Sequence, residues 1–170
     1  MAKAKYIVVE GPIGVGKTSL ARILATELQA RTVFERVEDN PFLPKFYKAR
    51  ETYAFQNQTF FLLNRYHQQL ELCQQDLFNH NTVADYLFAK DNIFAALTLS
   101  NEELKLYQQI YALLTTRVPK PDLVVYLQAR PEVLYKRVKK RDKSFERGVT
   151  FEYLAEVAQE QRDRGVVKRA

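Results

Sequence analysis

Residues 6–18 read Tyr6-Ile7-Val8-Val9-Glu10-Gly11-Pro12-Ile13-Gly14-Val15-Gly16-Lys17-Thr18. The opening run is apolar and rich in β-branched residues, which is typical of a buried parallel strand. From Thr18 onward apolar residues recur at helical spacing, at Leu20, Ile23, Leu24 and Leu28. Between them, the eight residues from Gly11 to Thr18 match the pattern G-x-x-x-x-G-K-[ST] in full. The segment therefore predicts a phosphate-binding loop that joins a strand to a helix.

Each residue type in this loop has a physical reason to be there. The glycines let the backbone curl so that several N–H groups point inward, and these groups hold phosphate oxygens together with the positive end of the helix dipole. Lys17 would reach the β- and γ-phosphates, and the Thr18 hydroxyl would be a ligand of Mg²⁺. We therefore expect ATP and Mg²⁺ as cofactors. The loop does not name the acceptor, because it also occurs in GTPases, motor ATPases and helicases.

Strand-like and helical patterns alternate along the rest of the chain. Short apolar runs predict further strands at Thr32–Phe34, Thr82–Ala84 and Leu123–Leu127. Helical spacing predicts helices at about 18–29, 49–79, 93–98, 102–117, 131–141 and 151–161. Because strands alternate with helices, we expect an α/β, three-layer P-loop fold with a parallel sheet of four to five strands flanked by helices. No linker or repeat interrupts the pattern, so residues 1–170 should form a single domain.

Composition excludes several classes of protein. The lone cysteine, Cys73, rules out a disulfide framework and a cysteine-based zinc site. No stretch approaches the ~18 consecutive apolar residues of a membrane helix, and the first five residues show no secretory pattern, so we expect a cytoplasmic protein. The net charge of +6 suits a phosphate-handling enzyme as well as a nucleic-acid-binding protein, and therefore does not decide between them.

Five segments in order resemble the deoxynucleoside kinase family, in particular its bacterial deoxyadenosine and deoxyguanosine kinase branch. They are the loop with Glu10 before it, 35–43, Phe55-Gln56, the stretch from Asp85-Tyr86 to Ile93-Phe94-Ala95, and the stretch from Pro121-Asp122-Leu123 to Arg141. The resemblance covers about residues 5–158. It implies transfer of the ATP γ-phosphate to the 5′-hydroxyl of a deoxynucleoside, a purine by preference, in nucleotide salvage.

The resemblance also implies roles on the acceptor side. Glu35, at the end of the second predicted strand, corresponds to the family carboxylate that contacts the 5′-hydroxyl and holds it in line with the γ-phosphorus. Tyr47 and Glu146 correspond to residues that contact the sugar 3′-hydroxyl. Gln56 corresponds to the glutamine that pairs with the base edge, where an amide offers both a donor and an acceptor. Phe94 corresponds to an aromatic side chain that stacks on the base.

Two further segments carry charge. The family usually has an acidic residue followed by Arg and Ser, where this chain reads Asp85-Tyr86-Leu87. Asp85 is a candidate for contacts to substrate and to Mg²⁺, without the arginine. Arg137 and Arg141 lie four apart on a predicted helix and share a face. The family uses this stretch, residues 136–148, as a lid whose arginines stabilise the transferred phosphoryl group. The predicted catalytic residues are Lys17, Glu35, Arg137 and Arg141.

Two alternatives remain open on the sequence alone. A nucleoside monophosphate kinase of the thymidylate type shares the loop and an arginine lid, and its phosphorylated acceptor would need extra cations such as Arg36, Arg50 or Arg65. A nucleic-acid-binding NTPase is suggested by the net charge of +6 and would bind with strong salt dependence.

The carboxyl end departs from the family pattern. The family normally continues past the last predicted helix into a further helical stretch and a fifth parallel strand, whereas residues 159–170 here are mostly polar or charged. We expect residues 162–170 to form a flexible or helical tail that leaves Leu123–Leu127 as an exposed edge and gives the adenine of ATP fewer contacts. The resemblance also implies a homodimer.

Overall fold

The computed structural model describes residues 5–75 and 81–163, without the side chains of residues 73–75. Four strands lie in the described residues: β1 Tyr6–Glu10, β2 Arg31–Val33, β3 Thr82–Ala84 and β4 Leu123–Tyr126. The helices are α1 Lys17–Glu27, α2 Leu43–Lys48, α3 Arg50–Gln75, α4 Asp91–Thr98, α5 Asn101–Thr115, α6 Pro131–Arg141 and α7 Phe151–Asp163. Single 3-10 turns occur at Val37–Asp39, Phe88–Lys90 and Ser144–Glu146.

All the strand pairs in the described sheet are parallel, and the strand order is β2-β3-β1-β4. β1 pairs with both β3 and β4, so that Val8 lies opposite Ala84 on one side and opposite Val124 on the other. Parallel strands end at the same edge of a sheet, and ligands bind beyond that edge in open α/β folds. The loop after β1 and the segments after β2 and β3 therefore converge at one place.

Both faces of the sheet are covered by helices. Ile7 and Val9 of β1 pack with Ala21 and Ala25 of α1 on one face. Val8, between them in the sequence, packs on the opposite face with Ala84 and Leu87. Because β1 is apolar on both faces, it reads as a continuous hydrophobic run, as central parallel strands do.

The predicted fold class is confirmed, and most of the predicted elements are present. β3 has the predicted bounds, and α6 begins and ends at the predicted residues. The helix expected at about 49–79 is one helix to Gln75, and residues 76–80 lie outside the described part. The short helix α2 was not predicted, because its six residues include a proline and too few turns to show a period.

β4 is an edge strand of the described sheet, as expected, and its Leu123 is 53% exposed. The first two positions of the expected flexible or helical tail, residues 162–163, belong to α7. The remainder of the predicted tail, residues 164–170, lies outside the described residues.

Candidate active site

The phosphate-binding loop has the backbone that its glycines permit. Gly14 has a φ of +82°, and a Cβ placed there would lie 2.9 Å from Val138 Cγ2 and 3.0 Å from the Leu134 carbonyl oxygen of α6. Gly11 has a φ of +152°, and its Cβ would lie 2.5 Å from the Leu127 carbonyl oxygen. Only glycine avoids both the strain and the collisions. The loop is thus held between the end of β4 and the face of α6.

The charged end of the loop is also held by its own backbone. Lys17 Nζ donates to the carbonyl oxygens of Gly11 at 2.9 Å and Pro12 at 3.1 Å. Val15 is buried in the core between the loop and α6, and its carbonyl accepts a hydrogen bond from Arg137 Nη1 at 3.3 Å. Pro12 and Val15 therefore shape the loop, while the other six residues of the motif line the cavity beyond the sheet edge.

That cavity, of about 220 Å³, collects most of the predicted site residues. Those with atoms on its wall are Gly11, Ile13, Gly14, Gly16, Lys17, Thr18, Glu35, Tyr47, Asp85, Phe94, Arg141 and Glu146. Gln56 and Arg137 do not line it. Residues from seven separate segments of the chain thus meet where the strands end.

Asp85 joins the loop to the segment after β2. Its Oδ2 accepts a hydrogen bond from the Thr18 hydroxyl, and its Oδ1 accepts one from the Glu35 backbone N–H at 2.8 Å. Burial raises the pKa of Asp85, and the Thr18 and Glu35 hydrogen bonds act against that rise. One carboxylate therefore fixes the distance between the loop and the backbone of Glu35.

Glu35 lies among buried cations. Arg65 of α3 donates to Glu35 Oε1, and Lys90 Nζ lies 3.3 Å from Glu35 Oε2. Burial alone would raise the pKa of Glu35, but Arg65 and Lys90, with Lys17 behind them, hold it well below its ordinary range. Glu35 is therefore ionised at any working pH, and it is a strong hydrogen-bond acceptor but a weak base.

Sequence reasoning missed Lys90 and gave Arg65 another role. Arg65 was considered only as a cation for a phosphorylated acceptor, whereas its guanidinium is bound by Glu35 and Asp91. Nothing in the local sequence marked Lys90, which is buried and also lies 3.7 Å from Glu10 Oε2. Its burial, which only the structure shows, is what singles it out, because buried lysines are rare unless paired.

The structure does not place Gln56 in the site. Gln56 is exposed, whereas Gln58 is buried and lines the cavity. Residues two positions apart on an α-helix are rotated by about 200° about its axis. Gln56 and Gln58 therefore point to opposite sides of α3. Gln58 Nε2 donates to Thr98 Oγ1 at 3.1 Å, which fixes the amide between α3 and α4. The glutamine side chain that lines the cavity is therefore Gln58.

Two aromatic residues predicted for the site do line the cavity. Tyr47 packs edge-on against Tyr153, with ring centroids 5.9 Å apart, and a Cβ on Gly148 would lie 2.6 Å from Tyr47 Cβ. Burial, together with Tyr153 and Glu146, raises the pKa of Tyr47, so its hydroxyl remains a donor. Phe94 lies on α4, partly buried between the cavity and the core.

Arg137 and Arg141 of the cationic stretch lie at different distances from the cavity. Arg141, at the end of α6, reaches the cavity, and its Nε donates to Glu146 Oε2 at 2.6 Å. Arg137 is exposed beside the loop and is engaged by the Val15 carbonyl. The two arginines were predicted to act together, and only Arg141 is brought to the cavity wall.

The residues present fit a magnesium ion. Within residues 5–72 and 81–163, no cluster of three His, Cys, Asp or Glu side chains forms a metal cage. Mg²⁺ in phosphate-transfer sites uses one or two protein oxygens together with substrate phosphates and water, so it needs no such cage. The Thr18 hydroxyl and the Asp85 carboxylate, in contact beside the loop, provide those oxygens.

A parallel α/β sheet whose phosphate-binding loop faces an ionised carboxylate across one cavity is the arrangement that a phosphotransferase needs. The family model "Deoxynucleoside kinase" matches residues 7–163. The chain is 40% identical to a deoxyguanosine kinase of Bacillus subtilis over 92% of its length and 76% of the relative's. It is 34% identical to a deoxyadenosine kinase of Dictyostelium discoideum over 88% of its length and 62% of the relative's. The chain belongs to the deoxynucleoside kinase family, as its motifs predicted.

A solved structure supports the fold. The deoxyadenosine kinase from M. mycoides superposes with a TM-score of 0.81 over 94% of this chain and 82% of that one, at 22% identity. At that identity the likeness speaks for the architecture alone. No helix among the described residues has both the length and the apolar character needed to span a bilayer.

The lowered pKa of Lys17 predicts that activity declines at alkaline pH. Burial lowers this pKa from 10.5 to about 8, and the ammonium of Lys90 adds to the effect, while Glu10, Glu35 and Asp85 act against it. Below this pKa the amine carries the charge that attracts phosphate, and above it the charge is lost. We expect kcat/KM for ATP, which reports on the free enzyme, to fall as the pH rises from about 7 to about 10. A flat profile across that range would contradict the assignment.

Proposed function

We propose that this enzyme transfers the γ-phosphate of ATP to the 5′-hydroxyl of a purine deoxynucleoside, for nucleotide salvage in the cytoplasm. The observation that supports this best is the bridge through Asp85. Its two oxygens accept hydrogen bonds from Thr18 of the phosphate loop and from the backbone of Glu35. A phosphate donor held by the loop and an acceptor held by Glu35 would therefore meet at a fixed separation, as phosphoryl transfer requires.

The donor side needs positive charge around the phosphates. In this proposal the inward N–H groups of the loop and the ammonium of Lys17 hold the β- and γ-phosphates. Thr18 and Asp85 would hold Mg²⁺, which neutralises charge that builds up on the phosphate oxygens. Lys17 donates to two carbonyl oxygens of the loop, so a side-chain rotation would bring its ammonium to phosphates held by the loop.

On the acceptor side Glu35 accepts a hydrogen bond from the 5′-hydroxyl and aims its oxygen at the γ-phosphorus. Because Arg65 and Lys90 hold the pKa of Glu35 well below its ordinary range, this carboxylate does not retain a proton. Its contribution is orientation. This suits phosphoryl transfer through a loose transition state, in which little early deprotonation of the nucleophile is needed.

The remaining cavity residues would hold the nucleoside. Glu146 lies close enough to Tyr47 for its negative charge to help raise the Tyr47 pKa. Together the two side chains would offer a donor and an acceptor to the sugar 3′-hydroxyl. Gln58, in place of Gln56, offers an amide to the base edge, and Phe94 offers a ring face. Within the expected lid, residues 136–148, the part beyond Val138 would move, with Arg141 turning to the phosphates when the acceptor engages Glu146.

The thymidylate-type alternative is less well supported. Of the three arginines considered for an acceptor phosphate, Arg36 is exposed and Arg50 pairs with Glu156. Arg65 lines the cavity but is bound by Glu35 and Asp91. The wall beside Glu35 therefore suits a neutral hydroxyl better than a second phosphate.

We expect deoxyguanosine or deoxyadenosine to be used better than thymidine. The support is the match to relatives named deoxyguanosine and deoxyadenosine kinases, so the warrant is family analogy. The measurement is kcat/KM for the four natural deoxynucleosides with ATP and Mg²⁺, with thymidine monophosphate assayed alongside. A higher kcat/KM for thymidine would refute the purine preference, and efficient use of thymidine monophosphate would favour the alternative reaction.

The homodimer implied by the family resemblance is also part of the proposal. Leu63 of α3 and Leu106 and Leu113 of α5 are 42%, 50% and 75% exposed. Exposed leucines on two neighbouring helices are the kind of surface that a second copy covers. Light scattering on the purified protein measures the molar mass and decides between monomer and dimer.

A further inference from the structure

Five buried charged side chains of alternating sign run beneath the cavity. Glu10 contacts Lys90, Lys90 contacts Glu35, Glu35 contacts Arg65, and Arg65 contacts Asp91. Glu35 is nearly buried, and the other four are 5% exposed or less. Buried charges are tolerated only when each is paired and hydrogen-bonded. Lys90 is the member of this series that connects the base of the phosphate loop to the acceptor carboxylate.

The backbone around Lys90 is built to bring it there. The Leu87 N–H donates to Glu10 Oε2 at 2.7 Å, and the Lys90 N–H donates to the Leu87 carbonyl at 3.1 Å, closing the turn Phe88–Lys90. The other oxygen of Glu10 accepts the Gly11 N–H at 2.7 Å. Glu10 thus ties the first residue of the loop to the turn that carries Lys90.

The position directly after Asp85 supplies no charge to Glu35. Tyr86 stands there, fully buried, and its hydroxyl accepts a hydrogen bond from Gln69 Nε2 at 3.1 Å. The ammonium beside Glu35 comes instead from Lys90, four residues after Tyr86. Without it, the two buried carboxylates of Glu10 and Glu35 would share one cation fewer, and Glu35 would be free to rotate about its remaining contact with Arg65.

We propose that Lys90 is a positioning residue for phosphoryl transfer, which fixes the ionised Glu35 carboxylate in its aim at the acceptor hydroxyl and ties it to Glu10 beneath the phosphate loop. This inference rests on the proposed function, in which Glu35 orients the acceptor. Lys90 itself touches neither substrate in this account. Among the charged neighbours of Glu35, Lys90 lowers its pKa more than any but Arg65 and so keeps the carboxylate ionised.

The first test replaces Lys90 by glutamine, which keeps a donor but removes the charge. We expect kcat to fall roughly 100-fold because the acceptor is misaligned, while KM for ATP changes by less than about 3-fold because the donor contacts remain. A purely structural role would not separate kcat from KM for ATP in this way, because a loosened site would weaken both.

Two further variants sharpen the result. Lys90→Arg keeps the charge, so we expect kcat within about 10-fold of the wild type. Lys105→Gln, on the exposed face of α5, is the matched control and should change neither kcat nor KM for ATP. A folded Lys90→Gln protein whose kcat stays within about 3-fold of the wild type, or whose KM for ATP rises as much as its kcat falls, would overturn the proposal.

A double-variant cycle with Glu35→Gln keeps the test decisive. If Lys90 acts through Glu35, adding Lys90→Gln to Glu35→Gln should change kcat by less than about 3-fold. The double variant neutralises both members of one buried pair, so it should fold even if Lys90→Gln alone does not, and its kcat then decides. A further loss of roughly 100-fold in that background would overturn the proposal.

The same series separates this inference from the proposed function. If the wild-type protein does not phosphorylate deoxynucleosides, the proposed function fails. If it does and Glu35→Gln keeps full turnover, the acceptor role of Glu35 fails and the role of Lys90 with it. If Glu35→Gln loses turnover while Lys90→Gln does not, the proposed function stands and the role of Lys90 alone fails.

Discussion

Replacing Lys17 by alanine should lower kcat by roughly three orders of magnitude, because it removes a charge that meets the transferring phosphate in a preorganised site. The fold should survive. Burial lowers the pKa of Lys17, which means that its ammonium is less favourable in the folded protein than in water. Removing this ammonium therefore removes an unfavourable contribution to the free energy of folding. The measurement is turnover of deoxyguanosine or deoxyadenosine at saturating ATP, with the melting temperature as a check on folding.

A matched control for this variant is Lys105→Ala, which removes an exposed lysine from α5. It should retain both the activity and the melting temperature of the parent protein. Full activity in Lys17→Ala itself would show that the loop does not hold the phosphate donor, and the kinase mechanism proposed for this site would be wrong.

Glu35→Gln is expected to lower kcat by roughly 100- to 1,000-fold, the scale of losing one preorganised polar contact at the reacting centre. KM for ATP should change little, because the loop and Thr18 are untouched. The amide keeps the shape of the side chain but attracts neither Arg65 nor Lys90 as the carboxylate does. Asp91 still pairs with Arg65, and Glu10 still lies beside Lys90, so both buried cations keep a partner.

The neighbouring Asp39 provides the control for this prediction. It is exposed on the same segment after β2 and does not line the cavity, so Asp39→Asn should leave kcat unchanged. The role given to Glu35 is wrong if its glutamine variant loses affinity for ATP while nucleoside turnover at saturating ATP stays normal.

The parts of the site that could be predicted from sequence are those that local chemistry fixes. The eight residues of the loop are contiguous, and their glycines, lysine and threonine have one geometry that explains them all. Glu35 and Asp85 each follow a short apolar run, and parallel strands bring such positions to one edge. Their meeting through the Glu35 backbone is therefore a consequence of strand order and strand ends.

The parts of the site that the sequence did not predict depend on the rotation of a helix about its axis and on a short turn. Choosing between Gln56 and Gln58 requires the rotation of α3 about its own axis, and the run Phe55-Gln56-Asn57-Gln58-Thr59-Phe60 leaves that rotation open. The position of Lys90 depends on the 3-10 turn Phe88–Lys90, which runs directly into α4. No periodic pattern reveals such a turn, because single 3-10 turns are too short to show one.

The contact between Gly14 and α6 has a mechanical consequence. The absent Cβ lets Leu134 and Val138 lie directly against the loop, and Arg137 adds a hydrogen bond to the Val15 carbonyl. The part of α6 up to Val138 is therefore packed against the loop and should not move relative to it. Any movement of the lid has to begin after Val138, and Arg141 lies only about 4.5 Å further along the helix. Over so short a distance, a small rotation of the chain gives a small and accurate displacement of the guanidinium.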